Sequence, residues 1–119
     1  FLWWNLDDPQ LSDTAREFIS DGRNEIFLSA ASVWEIAIKY GKGRLELPEK
    51  PEQYVAQRLT RHRFSSLPIQ LSHAVQVYRL PDIHTDPFDR LLVVQSQLEE
   101  MPLLTADLQI ARYAVSIIW

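Results

Sequence analysis

The chain has 119 residues, 46% of them hydrophobic, which suits one domain with a single core and is too little for two. It contains no cysteine, so a disulfide framework and a thiolate metal centre are excluded, and no apolar run nears the roughly 20 residues of a membrane span. The net charge of -4 argues against a generic nucleic-acid clamp, although Lys39, Lys42, Arg44, Lys50, Arg58, Arg61 and Arg63 form a basic middle able to hold phosphates.

Taken in chain order, Phe1-Leu2-Trp3-Trp4 reads as the inside of an element, and residues 5–10 as a polar turn. A helix follows Ser12 and Asp13 to about Ser20, with Ala15, Phe18 and Ile19 as its apolar stripe and Asp21-Gly22 closing it. Residues 25–29 form a short buried strand, and a helix begins near Ser29 and runs to about Tyr40. Its core face is expected at Val33, Ile36, Ala37 and Tyr40, with Ser32, Glu35 and Lys39 on another stripe. Gly41-Lys42-Gly43 ends it in a basic loop.

From Pro51 to about His62 the pattern is again helical, with Tyr54, Val55 and Leu59 inward and Arg58, Arg61 and Arg63 outward. A strand over 64–69, a helix over 72–80 capped by Ser72, a helix from Asp86 to about Glu100, a strand over 102–105, a short helix over 107–113 and a strand over 115–119 complete the series. Strands alternating with helices predict an α/β fold with a parallel sheet covered on both faces.

The chemistry concentrates in Asp86-Pro87-Phe88-Asp89-Arg90 and Leu104-Thr105-Ala106-Asp107. Asp86 fits a helix N-cap, Pro87 the first helical position and Asp89 the third, while Asp107 follows a strand that delivers it to the rim of a sheet. With Glu35 from the second helix, three elements present acids at one edge. Such carboxylates repel one another unless a divalent cation lies among them, and oxygen ligands suit Mg²⁺ or Mn²⁺. Simpler roles compete: a Glu35–Lys39 pair at i, i+4, favourable charge at a helix start for Asp89, and a helix cap for Asp107. Arg90 is the candidate phosphate grip, while His62 and His84 read as surface or turn histidines.

Phe1-Leu2-Trp3-Trp4, Ser29-Ala30-Ala31-Ser32-Val33-Trp34-Glu35, Asp86-Pro87-Phe88-Asp89-Arg90 and Leu104-Thr105-Ala106-Asp107, in that order, resemble the PIN-domain ribonucleases, in particular toxins of the VapC type. The resemblance covers essentially the whole chain, 1–119, as one PIN-like domain. It implies a three-layer sandwich, a central parallel sheet with helices on both faces, and an Mg²⁺- or Mn²⁺-dependent endoribonuclease that uses an activated water on RNA phosphodiesters. Glu35, Asp89 and Asp107 match the second, third and fourth acids of the family's set, Asp86 a neighbouring acid, and Thr105 a hydroxyl that orients a carboxylate or water.

The family's first acid ends a central strand placed before the Phe1 segment, so about ten further residues are expected ahead of it, on typical strand length. Without them the stretch is expected to be inactive. A VapB-type antitoxin, a homodimer and a cytoplasmic location are also implied, and Trp3, Trp4 and Trp34 are candidate core or interface aromatics. Two other classes are a receiver-like domain with an acidic Mg²⁺ pocket, for which Asp7-Asp8 and Lys50 are poorly placed, and a non-catalytic PIN-like module that docks a partner.

Overall fold

Helix caps and short apolar runs set the element boundaries in the computed structural model, which describes Phe1 and residues 9–119. The expectations for Trp3, Trp4, Asp7 and Asp8 lie outside the described residues. Helix α1 (Asp13–Ser20) is capped by the Ser12 hydroxyl, which accepts from the Ala15 N–H at 3.1 Å. Strand β1 (Phe27–Ser29) passes straight into α2 (Ala30–Gly41), where the Ser29 hydroxyl accepts from the Ala31 N–H at 3.0 Å.

Helix α3 (Pro51–His62) leads to β2 (Ser65–Leu67), which pairs in parallel with β1 in the register Phe27 to Ser65 and Ser29 to Leu67. Helix α4 (Leu71–Gln76) tightens into a 3₁₀ turn at Val77–Arg79 and stops short of Pro81. Helix α5 (Pro87–Glu99) is followed by β3 (Leu103–Leu104), a 3₁₀ turn at Ile110–Arg112 and β4 (Ile117–Ile118), parallel to β3.

The strands are thus parallel and separated by helices, as the sequence predicts, but among the described residues they form two two-stranded pairs rather than one sheet. Each pair has its own core. Leu28, Tyr54 and Val55 pack beside β1, with Phe1 set edge-on to Tyr54 at 6.3 Å between ring centroids. Leu80, Val93, Val94, Ile110 and Tyr113 pack beside β3. A cleft of about 860 Å³ lies between the pairs, and residues past the carboxyl ends of both β1 and β3 line it.

Several local expectations are corrected. Helix α2 buries Ala31 and Ile36, whereas Ala37 and Tyr40 face solvent, because the helix is covered by α3 and α5 over only part of the expected stripe. The cap of α4 is Gln70, not Ser72: buried His73 reaches back to accept the Gln70 N–H through Nδ1 at 2.9 Å. The expected short helix over 107–113 is reduced to a 3₁₀ turn, and both late strands shorten to two residues. Arg58 is not outward, since its guanidinium lies 4.3 Å from the centre of the Tyr54 ring and 3.4 Å from the Glu49 carboxylate.

A buried polar knot ties α2 to α5. Gln95, on α5, accepts from the Ser29 hydroxyl through Oε1 and donates through Nε2 to the Pro68 carbonyl at 3.2 Å. Ser29 is the cap of the helix that carries Glu35, and Gln95 sits on the helix that carries Asp89, so this bond fixes one acid-bearing element against the other.

Candidate metal centre

The start of α5 folds as its letters specify. Asp86 has extended backbone, and its Oδ1 accepts from the N–H groups of Phe88 at 2.8 Å and Asp89 at 3.4 Å. Pro87 occupies the first helical position, where no N–H is needed. This points the third helical residue, Asp89, into the site with its side chain about a quarter exposed.

Asp107 is held by a different device. Its N–H donates to the Thr105 hydroxyl at 3.1 Å, and its Oδ1 accepts from the Gln109 N–H at 2.8 Å, which leaves Oδ2 turned toward α5. Between the two carboxylates lies His84. Its Nε2 is 2.9 Å from Asp107 Oδ2 and 3.2 Å from Asp89 Oδ2, and its Nδ1 accepts from the Asp86 N–H at 3.1 Å. Acceptance at Nδ1 places the ring proton of the neutral imidazole on Nε2, so His84 is a donor to the acids.

The charges respond to this crowding. The Asp89 carboxyl is pushed up to about 6, first by burial and then by the charge of Asp86, with Glu35 and Asp107 adding to it and His84 opposing. Asp107 moves the other way, held down by the hydrogen bond from His84 and then by the Gln109 N–H. The hydrogen bond to Asp107 raises His84. Helix-dipole stabilisation at the start of α5 is therefore outweighed at Asp89 by burial among like charges.

His84, Asp89 and Asp107 lie with a ring nitrogen and one oxygen of each acid within 4.8 Å of one another, and with the Nε2 proton turned to the acids the available ligand atoms are the carboxylate oxygens. A carboxyl whose ionisation is resisted by burial and by three neighbouring acids is one that a cation would relieve, so the two carboxylates fit a hard divalent ion. Glu35 lines the same cleft as Thr105 and Asp107, and its charge reaches Asp89, yet its carboxylate stands outside the close group and pairs with Lys39 at 3.7 Å.

Of the expected site residues, Asp89 and Asp107 are brought together, Glu35 flanks them, and Asp86 and Thr105 serve as caps. The expectation for Arg90 is corrected. Its guanidinium donates to the carbonyls of Pro81 at 3.1 Å, His84 at 3.3 Å and Val77 at 3.3 Å, so it staples the loop before α5 and is committed rather than open to a phosphate. His84, read as a surface or turn residue, lies in the loop before α5, where its ring bridges the two carboxylates. A polar residue two places before an Asp-Pro helix start was the available signal, because that position folds back over the third helical residue.

Residues 1–116 match the PIN domain family model. Over 64 residues, 54% of this chain, the sequence is 44% identical to Ribonuclease VapC16 of Mycobacterium tuberculosis (strain ATCC 25618 / H37Rv). That match spans 44% of the relative's own length. No solved structure matches. With parallel strands, interleaved helices and a family match running through nearly all of its length, the chain belongs to the PIN domain family.

Proposed function

We propose that the protein is a metal-dependent endoribonuclease of the VapC toxin type, which hydrolyses RNA phosphodiester bonds. The observation that carries this reading is the convergence of Asp89 and Asp107, delivered by separate elements, with the Asp89 carboxyl raised by burial and then by the neighbouring acids. Similarity to Ribonuclease VapC16 supports it.

Asp89 and Asp107 are the residues that would hold Mg²⁺ or Mn²⁺, with Glu35 on the cleft wall as a further acid. When bound, the ion lowers the pKa of the attacking water and offsets charge on the phosphoryl oxygens. The chain's own part is positional. His84 aligns the two carboxylates through Nε2, Asp86 closes the helix start that presents Asp89, and Thr105 sets the turn that presents Asp107. Lacking cysteine, the chain has no thiol nucleophile, and water is the natural attacking group.

The same reading gives the protein a VapB-type antitoxin as partner, a homodimeric state and a cytoplasmic location. Exposed apolar side chains support protein partners: Leu71, Val75 and Tyr78 follow one another along α4 and its 3₁₀ extension, and Trp34 stands more than half exposed on α2. No helix of the described residues is long and apolar enough to cross a membrane.

The test is incubation of the full-length protein with total cellular RNA, with Mg²⁺ or Mn²⁺ and then with a chelator. Cuts at defined positions are expected with metal and none after chelation. Cleavage that persists without metal would overturn the metal dependence, and intact RNA in both arms would favour a non-catalytic module that docks a partner.

A further inference from the structure

A second, shallower cleft of about 390 Å³ opens beside the acids, between the carboxyl end of α2 and the start of α5. One wall is Glu35, Lys39, Lys42 and Arg44, and Thr85 and Phe88 belong to the other. Lys39 spends its charge on Glu35 at 3.7 Å. Lys42 and Arg44 are exposed and form no ion pair among the described residues.

The two cations stand on an ordered turn. The N–H groups of Lys42, Gly43 and Arg44 donate to the carbonyls of Ile38, Tyr40 and Lys39 at 3.1, 3.1 and 2.9 Å, and Gly43 takes the left-handed φ of 69° that the reversal requires. The turn places two uncompensated positive charges in the same cleft as Glu35 and Asp86, on a protein that is acidic overall. On this side of the acids a polyanion meets these two cations. Such a funnel suits the sugar-phosphate backbone of a single strand.

We infer that Lys42 and Arg44 form a phosphate subsite that grips single-stranded RNA beside the scissile linkage and leads it past Phe88 to Asp89. The inference rests on the ribonuclease reading and adds the route by which the substrate enters. Both residues are positioning groups on the wall of the neighbouring cleft, so they act on binding.

The experiment measures binding of a fluorescently labelled single-stranded RNA 12-mer to the full-length protein, with Asp89→Asn present throughout to prevent cleavage. Adding Lys42→Ala and Arg44→Ala is expected to weaken binding about tenfold near 0.1 M salt. It should also flatten the plot of log affinity against log salt by about 1.4, since each single-strand phosphate that a cation no longer neutralises lowers the slope by about 0.7. The swapped pair Lys42→Arg and Arg44→Lys should keep the parental slope, which separates charge from folding. An unchanged slope and affinity in the double alanine variant would overturn the subsite while the nuclease reading stands. A wild-type protein that neither binds nor cuts RNA would overturn both.

Discussion

Replacing Asp89 with asparagine is expected to lower RNA cleavage by about 10² to 10³-fold, the scale of losing one preorganised charge-stabilising group, while making the metal-free protein more stable. The second half follows from the direction of its pKa. Folding raises the Asp89 carboxyl to about 6 from the ordinary value of about 3.9, so the folded state holds this proton more tightly than the unfolded chain does. The resulting penalty is absent below about pH 3.9 and complete above about pH 6. Discounted for the water that reaches this half-buried group, it is about 1 to 2 kcal/mol, or about 4 to 8 °C in Tm. An asparagine oxygen can still accept from His84 Nε2, now 3.2 Å from the carboxylate, without the charge. Thermal unfolding at pH 7.5 should therefore show a gain that disappears near pH 4. A loss of stability at pH 7.5 would mean that the carboxylate is held by favourable contacts and is not waiting for a cation.

Gln95→Ala should be strongly damaging although it lies away from the acids. Gln95 is 2% exposed and serves the Ser29 hydroxyl and the Pro68 carbonyl at once. Truncation leaves the Ser29 hydroxyl proton without its acceptor and the Pro68 carbonyl without the Gln95 donor, and opens a cavity, for a combined cost of about 3 kcal/mol. Urea unfolding monitored by tryptophan fluorescence measures this. Gln95→Met, which restores volume but not polarity, should recover about 1 kcal/mol of the loss. The site should suffer as well, because α2 and α5 are no longer tied where Ser29 meets Gln95, and that tie sets Glu35 against Asp89. A cost below about 0.5 kcal/mol for Gln95→Ala would show that the position behaves like the surface and that the knot is dispensable.

What the letters disclosed was largely local chemistry with a fixed spacing. Asp86-Pro87 announced a helix start because a side-chain acceptor and a missing N–H are both used within one turn, and the structure has that cap. Ser29 ended a strand and began a helix for the same reason. Short apolar runs gave strand positions but not strand lengths, since a parallel strand persists only where a neighbour runs beside it, and β3 and β4 have two residues of overlap. The partners of Arg90 and His84 were not legible because they depend on where a loop folds. The guanidinium finds three carbonyls separated in sequence, and the imidazole finds carboxylates 5 and 23 positions away. Asp89 and Asp107 were legible as acids at element ends. Their opposite pKa directions were not, because burial and the His84 hydrogen bond arise only on folding.

The most direct test of the central claim, that Asp89 and Asp107 make a cation site, is calorimetric titration of Mn²⁺ into the full-length protein at pH 7.5 and pH 5. Because proton and cation compete for Asp89, binding is expected at pH 7.5, to weaken about tenfold per pH unit below about 6, and to be lost in Asp89→Asn. Binding that is equally tight at both pH values and survives Asp89→Asn, or no binding at pH 7.5, would contradict the account.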